Sequence, residues 1–124
     1  MKATILRHDA RAEYWFEEGC YINELSNRSE DRAVSVARLR VPPRGTTRLH
    51  SLTGIVERYV LLQGRARVRV GTLDETVGPG DVVIIPVGES QRITNLEDQD
   101  LLFLAICTPR FERAAYSDLT GPDG

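Results

Sequence analysis

Short runs of alternating apolar and polar residues, each cut off by glycine or proline, constrain this chain more than any other feature. Residues 33–41, AVSVARLRV, put Ala33, Ser35, Ala37, Leu39 and Val41 on one face of a strand and Val34, Val36, Arg38 and Arg40 on the other. Pro42 and Pro43 end that run, because neither ring nitrogen can donate to a ladder, and Gly45 turns the chain. Residues 57–62 predict a further strand, closed by Gly64. ARVRV at 66–70 points Ala66, Val68 and Val70 inward and Arg65, Arg67 and Arg69 to water. The segment from Val77 to Asp81 is dense turn chemistry. VVII at 82–85, β-branched and stopped by Pro86, predicts a buried strand, and LLFLAIC at 101–107 predicts another. From Phe111 to Tyr116 the expectation is a short helix or turn, and GPDG at the end is expected to fray. Evenly spaced short strands between glycine and proline turns make the chain all-β, a sandwich or a barrel.

Bulk properties narrow the function. A length of 124 residues suits one domain, and 41% hydrophobic content builds one core without disulfide or metal staples. The formal net charge is -2 and the arginines are scattered, which argues against a nucleic-acid partner. The sequence holds no run of about 18 apolar residues, so no membrane span is expected. The first residues, MKATILRHDARAEYWF, carry charges throughout and do not resemble a secretory signal. Two cysteines, Cys20 and Cys107, stand far apart, which predicts reduced thiols and a cytoplasmic setting. Internal repeats, phosphate loops, nucleotide fingerprints and catalytic-triad spacings are all missing.

Two stretches carry the chemistry. The first, RGTTRLHSLTGIVERYVLLQG, sets out Gly45, His50, Glu57 and Gly64; the second, GDVVIIPVGESQRITN, sets out Gly80, Pro86, Gly88, Gln91 and Asn95. Their spacing resembles the two signature motifs of the cupin superfamily, a small β-barrel that holds a metal from inside. The second motif matches at every spacing. In the first, the gap from Gly45 to His50 is one residue short. His50 aligns as the motif's first histidine, because taking it as the second leaves too many residues before Glu57. Leu52 and Gln91 stand where the family usually has histidine.

The resemblance implies a double-stranded β-helix or jelly-roll barrel spanning residues 33–110, with an N-terminal extension and leading strands at 1–32 and a tail at 111–124. It also implies a homodimer. His50 and Leu52, two apart on a strand, face the same way, and Glu57 opens the next strand, where it can face them. Together with Gln91 this gives one nitrogen and two oxygen donors for a divalent transition metal, with iron, manganese, nickel and zinc all open, or no metal at all. Leu52 cannot ligate and makes the cavity floor apolar. Gln91 offers a carbonyl oxygen to a metal and equally an amide to an organic ligand.

Other residues extend the expected site. Glu57 and Tyr59, on one face, are the candidate catalytic groups; a core tyrosine with a satisfied hydroxyl is the competing reading. If the Val34–Val36 face turns inward, Arg38 could pair with an acidic substrate; an outer-face arginine is the alternative. Phe103 shares a face with Ala105 and Cys107 and is a candidate lining residue, or plain core. Glu24, on a face with Cys20 and Ile22, is either a second carboxylate in the barrel or a solvent-facing residue. His8 is expected at the surface. The expected partner is a small polar organic molecule, met by an isomerase, lyase or dioxygenase, by a binding module without catalysis, or by a structural barrel acting through its dimer surface.

Overall fold

The computed structural model describes residues 1–120; the GPDG terminus lies outside the described residues. Eleven strands make two antiparallel sheets. The larger runs β1 (Tyr14–Phe16), β2 (Cys20–Ser26), β3 (Ser35–Val41), β10 (Leu101–Thr108), β5 (Val56–Gln63), β8 (Val82–Ile85). The smaller runs β11 (Tyr116–Asp118), β4 (His50–Leu52), β9 (Gln91–Asn95), β6 (Ala66–Val70), β7 (Leu73–Val77). This is the expected jelly roll. Among the described residues no helix is long and apolar enough to cross a membrane.

Alternation decides what the sheets bury. Leu39 and Val41 of β3, Tyr59 and Leu61 of β5, Val68 of β6, Ile93 of β9 and Phe103 and Ala105 of β10 share one core between the sheets. The arginines of β6 point outward as expected. VVII departs from expectation: Val83 and Ile85 are buried, but Val82 and Ile84 are 57% and 64% exposed. β8 is the edge strand of its sheet and its outer face has no cover among the described residues, so a β-branched run alone did not reveal two covered faces.

Segments outside the expected barrel core join the sheets on both sides of it. β2 pairs with β3, and Phe16, Cys20 and Ile22 join the common core. The strand-like residues before 33 therefore extend this chain's own sheet. At the other end a single 3-10 turn, Arg113–Ala115, leads into β11, which pairs with β4 so that Tyr116 lies opposite Leu52 and Asp118 opposite His50. Arg48 and Asp118 clamp that pairing through an ion pair at 2.7 Å.

Candidate functional site

The motif residues meet at one end of the space between the sheets. β4 and β9 touch through a single register pair, His50 opposite Gln91. On the facing sheet Glu57 lies opposite Cys107 of β10 and Ile85 of β8. Asn95, the last motif residue, has a bracing role: its amide donates to the carbonyls of Val41, Pro42 and Gln99 at 3.1, 3.1 and 2.7 Å and ties the turn after β3 to β9.

A residue from outside both motifs completes the cluster. β1 and β2 are joined by a three-residue loop, Glu17–Glu18–Gly19, with Phe16 paired to Cys20. Gly19 sits at φ +109°, and a Cβ there would stand 3.2 Å from the Thr46 carbonyl oxygen, so only glycine fits the turn without strain. The turn folds the Glu18 side chain inward, and Glu18 Oε1 lies 3.1 Å from His50 Nε2. Cys20 Sγ contacts the other oxygen, Oε2, at 3.4 Å. Sequence reading missed Glu18, because a glutamate before a turn glycine has the pattern of a surface residue. Tyr116 was missed as a site residue too: its ring stacks on His50 at 5.3 Å between centroids, 25° from parallel.

Hydrogen bonding fixes the state of His50. Its Nδ1 lies 2.6 Å from the Arg48 carbonyl, which can only accept, so the Nδ1 proton is there and Nε2 carries the lone pair. Burial pushes the imidazole pKa below its usual 6.5. Glu18 is pushed up to about 8, first by burial and then by the charge of Glu57. Burial thus favours the uncharged form of both groups, and their 3.1 Å contact buries no charge.

Glu57 has the same environment one strand away. Burial lifts it to about 7, against the pull of the nearby Gln91 amide and the Cys107 thiol. The thiol sulfur lies 3.6 Å from Glu57 Oε2. Tyr59, fully buried against Phe103 at 4.6 Å between centroids, donates its hydroxyl to Gln91 Oε1. Glu57 Oε1 and Gln91 Nε2 are buried and neither makes a well-formed hydrogen bond, although the Gln91 amide is near enough to Glu57 to pull its pKa down.

A cavity of about 40 Å³ opens beside Glu57, room for roughly two or three waters. Glu18, Glu57, Leu52, Ala105 and Cys107 form its polar end and floor, and Tyr14, Glu24, Asn27 and Phe111 its rim. Its lining includes neither lysine nor arginine. Glu24 keeps the face of Cys20 and Ile22, opposite Ala37, and lines the cavity, but it is exposed; the register shift in β2 comes after it, between Glu24 and Ser26. The other expected lining residues stand elsewhere. Arg38 lies on the outer face of β3, in a shallow depression with Leu6, Arg7 and His8, since alternation turns Leu39 inward. Phe103 is packed into the core behind Tyr59, away from the cavity wall.

A divalent metal needs donors whose lone pairs are open. His50 Nε2 faces Glu18, Gln91 Oε1 accepts from Tyr59, and Glu57 Oε2 faces the Cys107 thiol. One oxygen, Glu57 Oε1, remains. Among the described residues no group of three or more His, Cys, Asp or Glu is placed to hold a metal ion. Arranged in this way, His50, Glu57 and Gln91 do not fit one.

Comparison with known proteins gives the following. A family model described as the cupin domain matches residues 37–107. An oxalate-binding protein of Thermotoga maritima is 34% identical over 76 residues, which are 61% of this chain and 63% of that protein, so the match spans less than two thirds of the relative. A Thermotoga maritima protein described as a predicted oxalate decarboxylase superposes with a TM-score of 0.67 at 29% identity, over 73% of this chain and 80% of that one. KdgF of a Halomonas species superposes with a TM-score of 0.77 at 16% identity, over 91% of this chain and 99% of that one, a likeness of fold.

Proposed function

The chain belongs to the cupin family, and from that footing we propose that it binds a small, polar, uncharged organic molecule in the barrel, without a metal. The observation that carries this reading is the cavity wall, which presents the carboxyls of Glu18 and Glu57 and no basic side chain. The names of the Thermotoga relatives point to oxalate. Oxalate in this cavity would find no cation: Glu18 is held protonated at neutral pH and Glu57, raised to about 7, is only partly ionised, so a dianion would be desolvated against acid groups with nothing to balance its charge. A neutral ligand meets no such barrier.

Its orientation is set at Glu57. Glu57 Oε1, on the cavity wall, accepts from a ligand hydroxyl or amide, while Gln91 lies behind that wall with its amide beside Glu57. Glu57 touches the ligand and is the group able to carry a proton, should the bound molecule be isomerised or eliminated. Tyr59 acts one step back, holding the Gln91 amide through its hydroxyl. Leu52 supplies the apolar floor.

The test is a thermal-shift and calorimetric screen of neutral polyols, sugars and amides against oxalate, each with and without manganese. Stabilisation by a neutral compound, lost in Glu57→Ala, supports the reading. Oxalate binding to metal-free protein more tightly than every neutral compound overturns it.

The same reading includes a homodimer. β8 is an unpaired edge whose outer face exposes Val82 and Ile84, next to the exposed Leu62 of β5. Nothing along its four residues blunts the edge with charge. An antiparallel edge strand pairs with its own copy about a two-fold axis, and such pairing would set Val82 and Ile84 beside the same residues of the second copy as cross-strand neighbours.

A further inference from the structure

We infer that Glu18 is the residue that keeps a divalent metal out of this barrel: its carboxyl occupies the coordination position that His50 would otherwise offer. The inference rests on the metal-free reading above and names its cause. His50 holds the tautomer suited to ligation through Nε2, with Nδ1–H anchored on a backbone carbonyl, the arrangement that orients metal-bound imidazoles. What it lacks is an open lone pair. Glu18 Oε1 stands 3.1 Å from Nε2, and the two side chains are 8% and 2% exposed.

The cavity adds direction to this. Glu18 lines it and His50 does not, so anything entering meets Glu18 first. Glu18 is also held firmly. Its backbone carbonyl accepts from Arg48 N at 2.7 Å, its Oε2 is met by the Cys20 thiol, and Gly19 N closes the turn onto Phe16 O at 2.9 Å. The backbone at Glu18 is pinned by two hydrogen bonds and the carboxyl itself is held by the Cys20 thiol, which limits its swing as an ion approaches. Leu52 already removes one donor of the family's usual set, and the Tyr59 hydroxyl engages the oxygen of Gln91. Glu18 removes the strongest that is left. Its removal would leave His50 Nε2 and Glu57 Oε1 open at once, a nitrogen and a carboxylate suited to first-row divalent ions.

The experiment titrates cobalt, nickel and manganese into wild type, Glu18→Ala, Glu18→Gln and the double variant Glu18→Ala/His50→Ala, by calorimetry and, for cobalt, visible absorption. Folding is checked by circular dichroism and thermal melts, and Glu18→Ser, too short to reach Nε2, replaces Glu18→Ala if that variant does not fold. The expected result is no stoichiometric binding to wild type or Glu18→Gln, whose amide still donates to Nε2. Glu18→Ala binds one equivalent, on the order of tenfold or more tighter than wild type, and the double variant loses it. If wild type and folded Glu18→Ala are both metal-free, Glu18 is not the blocker and this inference falls while the metal-free reading stands. If wild type binds one equivalent and Glu18→Ala weakens it, Glu18 is itself a ligand and both fall.

Discussion

Glu18 and His50 are joined by a closed ring of three contacts. The Glu18 carbonyl accepts from Arg48 N at 2.7 Å, the Arg48 carbonyl accepts from His50 Nδ1 at 2.6 Å, and His50 Nε2 returns to Glu18 Oε1 at 3.1 Å. The β1–β2 turn and the start of β4 are therefore one unit, although 31 positions separate the two residues in the sequence (50 minus 18 leaves 31 between). Disturbance at either end should be felt at the other.

Stability should fall as pH rises through neutrality. Glu57 and Glu18 are raised from 4.5 to about 7 and about 8, so the folded protein holds their protons more tightly than the unfolded chain. Their contribution is complete below about 4.5 and is lost as pH climbs through 7 and 8. His50, lowered from 6.5, works in the opposite sense and costs stability only as pH drops below that value. Between about pH 6.5 and 8 the carboxyls decide the slope. Thermal melts across this window should show a falling midpoint, and Glu57→Gln should flatten it. An unchanged slope in that variant would show that Glu57 is not a source of it.

Tyr59→Phe should destabilise the fold by about 1–3 kcal/mol, because it strands Gln91 Oε1 in a dry interior while the aromatic packing on Phe103 survives. Urea denaturation measures this. A cost near zero would mean that water replaces the hydroxyl.

Gly19→Ala should cost about 1–3 kcal/mol through the positive φ and the approach to Thr46. Its second effect is local: the Glu18 carboxyl should lose its register with His50, so the pH slope above should change along with the midpoint. A midpoint shift without any change in slope would separate the turn from the site.

Ile84→Lys should convert a dimer to a monomer in light scattering, with the monomer's melting curve intact, since Ile84 is exposed and outside the core. A wild-type monomer would sink the proposed two-fold pairing.

Much of this was legible in the sequence, for identifiable reasons. β3 and β6 alternate between a buried face and a more open one, so alternation gave their bounds to within two residues, and the apolar run LLFLAIC gave those of β10 to within one. β7, LDETV, was invisible because four of its five residues are exposed, which leaves no apolar rhythm. His50 and Gln91 lie opposite each other and Glu57 lies near them because the two motifs encode neighbouring strand positions. Glu18 and Tyr116 come from the two ends of the chain, where only tertiary pairing brings them to His50. Arg38 followed the strand's own alternation to the outside, and the idea of an inward arginine failed for that reason.

The two cysteines also take on a different meaning. Each thiol points at one of the two buried carboxyls, Cys20 at Glu18 and Cys107 at Glu57, and burial drives both thiols well above their usual range. At neutral pH almost no thiolate exists at either, so neither is a ready nucleophile or an easy target for oxidants. Their count then carries no information about the redox compartment. What they supply is a weak proton donor in place of water, which lets an acid group sit in a greasy barrel without a hydration shell.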